Sequence, residues 1–546
     1  MNDTSPSDDA ADQATPTPGN RWRMSARPMA GGNREKEAEE TEKQEISRWK
    51  TKPEFRLPGS IAIPRDNAPG TGVPPISLTI YFLAILLGFI ASFDVSVPRP
   101  VMLLGSALIF IPLFFKSLQF PLPALMALII YIPYSKAVSG NLGGAVTGLN
   151  FTTAIMLLCF LSASAVSRRG APLAILPGEK SFRNLVVFFC ILGAFSVIHT
   201  DISASGFGPL SALVDYKRWL DPFLVFFVFS YLVKTEEEGR LLITLMAMSL
   251  VVIGLGTFEE HRINGMAHHL VRLTGIAQQA NQMGAFYSNY LLIMIAFFLM
   301  KGLGLRRRFF LFLGLGGCLL GLFMTESRGD ALSMAIALLF FFFIRSRILF
   351  LGVVALLAVA ILNAQYLPGG LGTRLQRTVV HQDANSLDQR TTLDASARTR
   401  LALWAGATAM IESHPVFGVG YKMFQSNIYR YVPKNDETSH LSLRNRDAHN
   451  AYLLIGAEMG IPTLLVFLYL IFSMFRVSLY SFWVSTDRFW KLVCLGTAST
   501  VVSLAITNVF GSRFNSMIVT GYLWALLAII LKIPVWQMNK MAQEKS

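Results

Sequence analysis

The sequence predicts an all-α fold, a polytopic membrane bundle of about 12–14 transmembrane helices with one large loop on the outer side. Three observations carry this prediction. Of the 546 residues, 53% are hydrophobic and only 15% are charged, whereas soluble proteins carry about 25% charged residues. The mean hydropathy is +0.47. Apolar stretches recur between positions 76 and 533, and about 20 apolar residues are enough to cross the hydrocarbon core.

The individual spans follow from these apolar stretches, of which we count about 14. Their centres fall near residues 84, 108, 127, 158, 192, 227, 249, 292, 317, 338, 356, 463, 499 and 524. All four cysteines lie inside these spans: Cys159, Cys190, Cys318 and Cys494. We expect them to be apolar packing residues that form neither a disulfide set nor a metal site.

The charged segments divide the rest of the chain. Residues 1–75 contain no apolar run, so we expect a disordered cytoplasmic tail and no cleavable signal peptide. That tail has 11 Lys/Arg and 12 Asp/Glu, so the formal charge of +14 comes from the membrane region and its loops, which argues against nucleic-acid binding. The predicted organisation is a tail over 1–75, transmembrane helices over 76–364, a large loop with short helices over 365–449, transmembrane helices over 450–533 and a cytoplasmic tail over 534–546.

The orientation follows from the distribution of Lys and Arg, which are enriched in cytoplasmic connections. If the N-terminal tail is cytoplasmic, every second connection should carry the excess. The cations in those connections are Lys116; Arg168, Arg169, Lys180 and Arg183; Lys234 and Arg240; Lys301 and Arg306 to Arg308; Arg345 and Arg347; Arg476 and Arg488; and the C-terminal Lys532, Lys540 and Lys545. Both termini are therefore predicted to be cytoplasmic, and the loop over 365–449 to be outside.

A second set of cations lies on the outer side, against this bias. Its members are Lys217, Arg218, Arg262, Arg272, Arg328, Arg513 and, in the large loop, Arg374, Arg377, Arg390, Arg398, Arg400, Arg430, Arg444 and Arg446. The planar guanidinium binds phosphate oxygens in a bidentate way. We therefore predict an anionic, phosphorylated ligand at the outer interface. Pairing with loop acids or lipid head groups is the alternative for any single arginine.

Arg328 stands at the start of an apolar run, in "TESRGDALSMAIALLFFFF". The spacing of Ser327 and Asp330 fits a capping box, which would explain both residues without a functional role. The capping box does not explain Arg328. This arginine lies at the interface between two spans, where the absence of a side chain at Gly329 allows another segment to come close.

The stretch "RNRDAHNAYLLIGAEMGIP" places His449 and Asn450 at the mouth of another span. Asn450 suits a helix N-cap, and a lone histidine at a helix start is alternatively an interface residue. On a helical projection that includes His449, Gly456 and Gly460 share its face and Tyr452 lies close to it, so another helix could pack there. Glu458 points the other way and lies deep in the span, where an acid must be paired or protonated.

The large loop is predicted to contain a helix over Arg398–Pro415, in "RTRLALWAGATAMIESHP". The proposed apolar face consists of Leu401, Trp404, Ala405 and Ile411, interrupted by Thr408. The helix should end before Pro415.

Taken together, these segments resemble the bacterial O-antigen ligase / O-antigen polymerase family of membrane glycosyltransferases. Four stretches carry the resemblance: "ESRGDALSMAIALLF", "TRLALWAGATAMIESHPVFGVGYKMF", "AHNAYLLIGAEMGIPTLLVFL" and, more weakly, "RLTGIAQQANQMG". They span roughly 240–475, in order around the large loop. The long N-terminal tail and two spans beyond the usual dozen depart from the family pattern.

The resemblance implies transfer of a glycan from undecaprenyl pyrophosphate to a hydroxyl acceptor, at the periplasmic face of a bacterial inner membrane and without a metal or other cofactor. An imidazole with an ordinary pKa near 6.5 suits removal of the acceptor's proton. We expect His449 to be the catalytic base. Arg328, Arg272, Arg400, Arg446 and Asn450 are the expected pyrophosphate-binding residues, with Ser327, Tyr452 and Glu458 in support.

Three functions are possible within this family, and a fourth comes from another class of protein. A polymerase of surface or exopolysaccharide, favoured here, takes the next lipid-linked repeat as acceptor and has a chain-length regulator as a candidate partner. A ligase takes lipid A-core, and a related group glycosylates proteins. A lipid-linked oligosaccharide flippase is the alternative from another class, but transporters usually carry ionisable residues deep in their spans, and here Glu458 stands almost alone.

Overall fold

The computed structural model describes residues 114–115, 117, 121–136, 151–167, 177–200, 209–266, 272–363, 366, 371–372, 379–381, 391–393, 395–432, 443 and 445–544. The spans predicted near residues 84 and 108 and the tail over 1–75 lie outside the described residues. Each of the other twelve predicted centres falls on a helix. The predicted all-α polytopic fold is therefore confirmed.

The described helices, in chain order, are α1 Leu122–Tyr131, α2 Phe151–Ser167, α3 Pro177–His199, α4 Pro209–Leu232, α5 Glu236–Met266, α6 Ala280–Phe298, α7 Leu305–Met324, α8 Arg328–Arg345, α9 Arg347–Leu362, α10 Ala395–Ser413, α11 Phe424–Tyr431, α12 Ala451–Val484, α13 Arg488–Thr507, α14 Met517–Ile530 and α15 Ile533–Glu544. Within the described residues, six helical segments are long and apolar enough to span a membrane: Gly178–His199, Glu236–Ile263, Leu305–Met324, Ala451–Val484, Arg488–Thr507 and Met517–Met541. The protein is a multi-pass membrane protein.

The large loop contains two short strands that the sequence reasoning did not predict. β1, Val379–His381, pairs antiparallel with β2, Thr391–Leu393, and Val380 faces Thr392. The strands precede α10, which corresponds to the helix expected over Arg398–Pro415. The apolar face proposed for that helix was right only in part, since Ile411 packs against the buried cluster and Trp404 is half-buried, but Leu401 and Ala405 are exposed. Leu403, Ala407 and Met410 are fully buried, whereas Leu401 is half exposed, because α11 and α12 cover a different side of α10.

Charged contacts group the connections at one end of the bundle, here called the Lys532 end. Lys532 pairs with Glu179 at 3.7 Å, and Arg240 bridges Glu236 at 2.6 Å and Asp487 at 2.5 Å. The connections before α3, between α4 and α5, between α12 and α13, and after α14 therefore meet at one end. They were all predicted to share the cytoplasmic side, and their assignment to that side stays a prediction.

Toward the opposite end, an aromatic cluster joins α4, α12, α14 and the connection between α13 and α14, and two of these, α12 and that connection, border the candidate site. Phe514, in the connection between α13 and α14, lies with its ring centroid 4.6 Å from that of Phe467 on α12 and 5.9 Å from that of Trp524 on α14. Trp524 in turn contacts Phe223 on α4 at 5.1 Å. Aromatic pairs at these separations stabilise beyond the area they bury. The cluster therefore packs the connection that carries Phe514 against α12.

Candidate active site

His449 is the last loop residue but one before α12, and its backbone is left-handed, with φ of 50°. Asn450 is the N-cap, and its side-chain oxygen accepts from the amides of Tyr452 at 3.0 Å and Leu453 at 3.1 Å. The predicted capping role of Asn450 is confirmed. The helical projection that included His449 was wrong, because the helix begins at Ala451 and the left-handed backbone turns His449 away from its faces.

Hydrogen bonds from three directions hold the segment around His449. The indole of Trp404 on α10 donates to the carbonyl of Ala448 at 3.1 Å. The amide of Ala451 donates to the carbonyl of Asn508 at 2.8 Å. The hydroxyl of Tyr452 donates to the carbonyl of Ala505 at 2.8 Å. The loop helix and the end of α13 therefore fix His449 from either side.

The imidazole of His449 is partly buried among three arginines. Burial lowers its pKa below 6.5, and the nearby charges of Arg400, Arg513 and Arg446 lower it further. Asp447 opposes them, with a carboxylate oxygen 3.8 Å from Nδ1, but the net direction is down. His449 is accordingly neutral at pH 7, the protonation state that a general base requires.

Arg328 is the first residue of α8, and the residues around it are not arranged as predicted. Ser327 is at the N-cap position, but its side chain makes no capping hydrogen bond. The capping-box interpretation was therefore wrong. Asp330 instead forms a buried ion pair with Arg513 of the connection between α13 and α14. The expected close approach at Gly329 is present, since a Cβ there would lie 2.7 Å from Phe510.

Arg272 lies next to the turn that leads into α8. Its Nε donates to the carbonyl of Thr325 at 2.8 Å, and Nη2 donates to the side-chain oxygen of Asn281 at 2.7 Å. The adjacent Leu273 amide donates to the carbonyl of Met324 at 3.0 Å. Arg272 therefore braces the α7–α8 turn, three residues before Arg328, through contacts with protein groups.

The predicted arginines thus divide into two groups. Half-buried Arg400 on α10 and exposed Arg446 act on His449 directly through their charge, and the charge of Arg400 also acts on Asp330. Arg328 and Arg272 belong to the α7–α8 turn, which the Asp330–Arg513 pair connects to the segment beyond α13. The structure brings both groups to the same end of the bundle.

Glu458 lies away from both groups of arginines and has a structural role. It is buried in α12, and its carboxylate accepts from the amide of Phe424, the first residue of α11, at 3.3 Å. The N-cap residue of α11, Met423, supplies no side-chain bond. Glu458 therefore accepts a hydrogen bond from the start of a loop helix from within α12, and the expectation that this deep acid is either paired or protonated stays a prediction.

α12 is broken at Gly460, which has φ of 83° and is followed by Pro462. The turn after α10 fills the break. The amides of Val419 and Gly420 donate to the carbonyls of Ala457 and Glu458, at 2.8 and 3.0 Å. The pair Gly456 and Gly460 does permit close packing, as predicted, but only Gly456 faces a helix, through Ile411 of α10, whereas the backbone of Val416 faces Gly460.

Two residues of the site were missed as site residues by the sequence reasoning. Arg513 was counted only among the outer arginines, and Asp330 only as a cap. One signal in the sequence could have indicated the pair. An acid at the start of one apolar span and an arginine at the end of another both cost free energy in a membrane unless they are paired. The two lie 183 residues apart, so spacing along the chain could not connect them.

Comparison with known proteins bears on the same region. Residues 309–468 match the family model described as O-antigen ligase. The matched segment runs from α7 into α12 and contains Arg328, Asp330, Arg400 and His449, whereas Arg272 and Arg513 lie outside it. No curated protein matches the chain. The match confirms the family resemblance expected from the sequence motifs.

Proposed function

We propose that this multi-pass membrane protein, whose residues 309–468 match the O-antigen ligase family, transfers a glycan from undecaprenyl pyrophosphate to a sugar hydroxyl. In the proposed reaction, the acceptor is the next lipid-linked repeat, so the product is a growing surface polysaccharide or exopolysaccharide. We assign the reaction to the periplasmic face of the inner membrane.

One observation carries the proposal: the half-buried imidazole of His449 lies within electrostatic range of three guanidinium groups. Burial together with Arg400, Arg513 and Arg446 lowers the pKa of His449. Two of these cations, Arg400 and Arg446, are also suited to bind a diphosphate. A base and an anion site are thus provided by one group of residues.

The chemistry follows from these two components. His449 removes the proton of the acceptor hydroxyl as its oxygen forms a bond to the anomeric carbon of the donor sugar. The bond between that carbon and the diphosphate oxygen breaks, and the leaving diphosphate gains negative charge. Arg400, Arg446 and Arg328 stabilise this charge where it develops. The proposed reaction requires no metal, because arginines supply the positive charge.

The remaining predicted residues have supporting roles in this scheme. Arg272 braces the Thr325 turn before Arg328. Asn450 fixes the start of α12 through its side-chain oxygen, and Tyr452 ties α12 to α13. Ser327 occupies the N-cap position of α8. Each one holds a residue that we place at the diphosphate or at the acceptor hydroxyl.

Ligation to lipid A-core is the second candidate function, favoured by the description of the matched family as O-antigen ligase. The two functions share the donor, the leaving group and the base. They differ only in the acceptor, which we place against the large loop because α10 of that loop is hydrogen-bonded to the residue before His449. The acceptor therefore decides between them, and it can be varied in an assay.

The deciding experiment uses purified protein in detergent with an undecaprenyl-pyrophosphate oligosaccharide, in the presence of EDTA. The proposal expects a ladder of repeats from the wild type and none from His449→Ala. His414→Ala is the matched control, since His414 is an exposed histidine of the same loop, and it should give the full ladder. A single conjugate after addition of lipid A-core would identify a ligase. No product with either acceptor would reject transferase activity in favour of the flippase alternative.

A further inference from the structure

The ion pair between Asp330 and Arg513 is one of the most deeply buried in the described part of the chain. The exposed fraction is 0% for the Asp330 side chain and 6% for Arg513. Removing two charges from water is expensive, and apolar replacements of such pairs are often equally stable. Stability alone is therefore a weak reason for the pair, and its connections indicate a more specific one.

On one side, the pair is connected to His449 by a short series of hydrogen bonds. The amide of Arg513 donates to the side-chain oxygen of Asn508 at 3.3 Å. The carbonyl of the same Asn508 accepts from the amide of Ala451 at 2.8 Å. Ala451 follows His449 by two residues. The position of Arg513 and the position of the proposed base are thus set by one asparagine.

On the other side, the pair is fixed to the start of α8, where Arg328 lies two residues before Asp330. Gly284 on α6 leaves the space that the Asp330 carboxylate fills, since a Cβ there would be 2.5 Å from Oδ2 of Asp330 and 2.9 Å from Oγ1 of Thr325. Asp330 can therefore move little, and the pair holds the α8 start against the segment that carries Arg513.

The pair also enters the charge balance around His449. The charged groups facing His449 are Asp447, Arg400, Arg446 and Arg513. Arg513 and Arg400 also act on Asp330. Asp330 is therefore the partner that keeps the guanidinium of Arg513, one of the cations acting on His449, against the start of α8.

We propose that Asp330 is a positioning residue for the transfer reaction. Through its ion pair with Arg513, it fixes the α8 start that carries Arg328 relative to the segment that carries His449, and it limits the uncompensated positive charge beside the imidazole. This inference rests on the proposed function, because it assigns Arg328 and His449 to one reaction. It adds to that function a residue that touches neither substrate.

The test compares Asp330→Asn, Arg513→Gln and the double variant with the wild type. Two readouts are taken on folded protein: kcat/KM against pH, and labelling of His449 by diethyl pyrocarbonate against pH, resolved by peptide mass spectrometry. Asp330→Asn leaves Arg513 uncompensated and should shift the His449 titration to lower pH. Arg513→Gln removes a cation and should shift it to higher pH, each by about half a unit or more.

Both single variants should lower kcat/KM at least about tenfold, since a cation or anion is left buried alone. The double variant should be less impaired than the product of the two single effects predicts, because the residues act as a pair. A pair with a merely structural role would reduce the yield of folded protein while leaving the titration and the kcat/KM of the folded fraction unchanged. That result would overturn the proposal.

Gly284→Ala tests the geometry with both charges still in place, and it keeps the proposal falsifiable if the charge variants do not fold. The added methyl group displaces the Asp330 carboxylate, so kcat/KM should fall at least about tenfold. Gly496→Ala is the control, because the nearest atom to its Cβ would be the flexible Cδ1 of Ile293 at 3.0 Å, and Cβ of Ala296 and the carbonyl oxygen of Leu292 would lie farther away, at 3.3 and 3.4 Å. Equal activity of both variants would contradict positioning by Asp330. Absence of transfer in the wild type would reject the proposed function, while the labelling experiment would still test the pair.

Discussion

The carbonyl oxygen of Pro415 accepts a hydrogen bond of 2.7 Å from the amide of Ile461. Ile461 lies ten residues into α12, about 15 Å along the helix axis, whereas Pro415 belongs to the turn that follows α10. The outer loop therefore reaches down along the span. In a hydrocarbon environment, irregular backbone is tolerated only where protein groups satisfy it.

The accompanying bonds show why the turn is required there. In a regular helix the carbonyl of Glu458 would accept from residue 462, which is a proline without an N–H. The break at Gly460 also deprives the carbonyl of Ala457 of its partner, Ile461. The amides of Val419 and Gly420 replace the two lost donors. The break and the turn are therefore one structural unit.

Gly460→Ala should detach the turn that follows α10 from the break in α12. The glycine has φ of 83°, and a Cβ would lie 2.0 Å from the carbonyl oxygen of Val416, a backbone atom that cannot move aside. We expect the free energy of unfolding to fall by roughly 1–3 kcal/mol, and the segment between α10 and α11 to become sensitive to protease. Thermal unfolding in detergent and limited proteolysis measure both effects.

Gly456→Ala is the control for that variant, because its Cβ would meet only flexible side chains, those of Ile411 at 2.8 Å and Leu464 at 3.4 Å. It should be milder on both measurements. Equal sensitivity of the two variants would indicate that general crowding between α10 and α12, and not the replaced hydrogen bonds, governs the loop.

Arg400→Gln should change the pH dependence of transfer in a defined direction. His449 must be neutral to act as base, so kcat/KM falls as the pH drops through the pKa of His449 in the free enzyme. Burial and then the positive charges of Arg400, Arg513 and Arg446 place that pKa below 6.5. Removing the charge of Arg400 raises the pKa, so the acid limb of the profile should move to higher pH.

The measurement is kcat/KM between pH 5 and 8, with Arg398→Gln as the control, since Arg398 lies on the same helix and is exposed. The control should keep the wild-type acid limb. A limb that moves to lower pH in Arg400→Gln, or that stays in place, would show that His449 is not the group being titrated.

Arg328→Lys tests whether the α8 start binds a diphosphate through a planar guanidinium. Lysine keeps the charge but cannot form two parallel hydrogen bonds to phosphate oxygens. We expect kcat/KM to fall roughly 100-fold, within the range seen when a donor to a developing negative charge is removed. Steady-state kinetics with varied lipid-linked donor measure this.

Arg345→Lys, at the opposite end of the same helix and exposed, should behave as the wild type. Near-normal rates in Arg328→Lys would assign Arg328 to a head-group contact that needs only charge. The diphosphate would then be left to Arg400 and Arg446.

The sequence was sufficient to locate the membrane helices because the length of an apolar stretch and the charges at its two ends can be read from that stretch alone. Each described helix at a predicted centre could be located from its own residues, and the N-cap role of Asn450 followed from its side chain and its position. The buried face of α10 could not be located in this way. Leu403, Ala407 and Met410 are buried by α11 and α12, and that choice depends on contacts between segments far apart.

The residues of the candidate site could be singled out from the sequence to the same extent and for the same reason, and their roles stay predictions. His449, Arg328 and Arg400 could be named because each departs from the expected chemistry of its own segment. The partnership of Asp330 with Arg513 depends on two helix ends meeting in space. The left-handed backbone of His449 is likewise held by long-range hydrogen bonds, in which Ala448 accepts from Trp404 and Ala451 donates to Asn508. No periodicity in the chain encodes these contacts.

The role of Glu458 can be separated from its charge. Its carboxylate accepts from the amide of Phe424 at 3.3 Å and is buried, so α11 depends on an acceptor at that point. Glu458→Gln keeps an acceptor oxygen of similar reach, whereas Glu458→Leu leaves the amide without a partner. We expect the Leu variant to lose roughly 1–3 kcal/mol of unfolding free energy and the Gln variant much less.

Thermal unfolding in detergent, with protease cleavage within residues 414–432 as a local probe, distinguishes the two substitutions. The Gln variant should also retain transfer, because the groups proposed to contact the diphosphate and the acceptor hydroxyl are His449 and the arginines. Equal damage by Gln and Leu would mean that the negative charge itself is needed. Glu458 would then belong with the electrostatics of Asp447 and the site, and not with the folding of the loop.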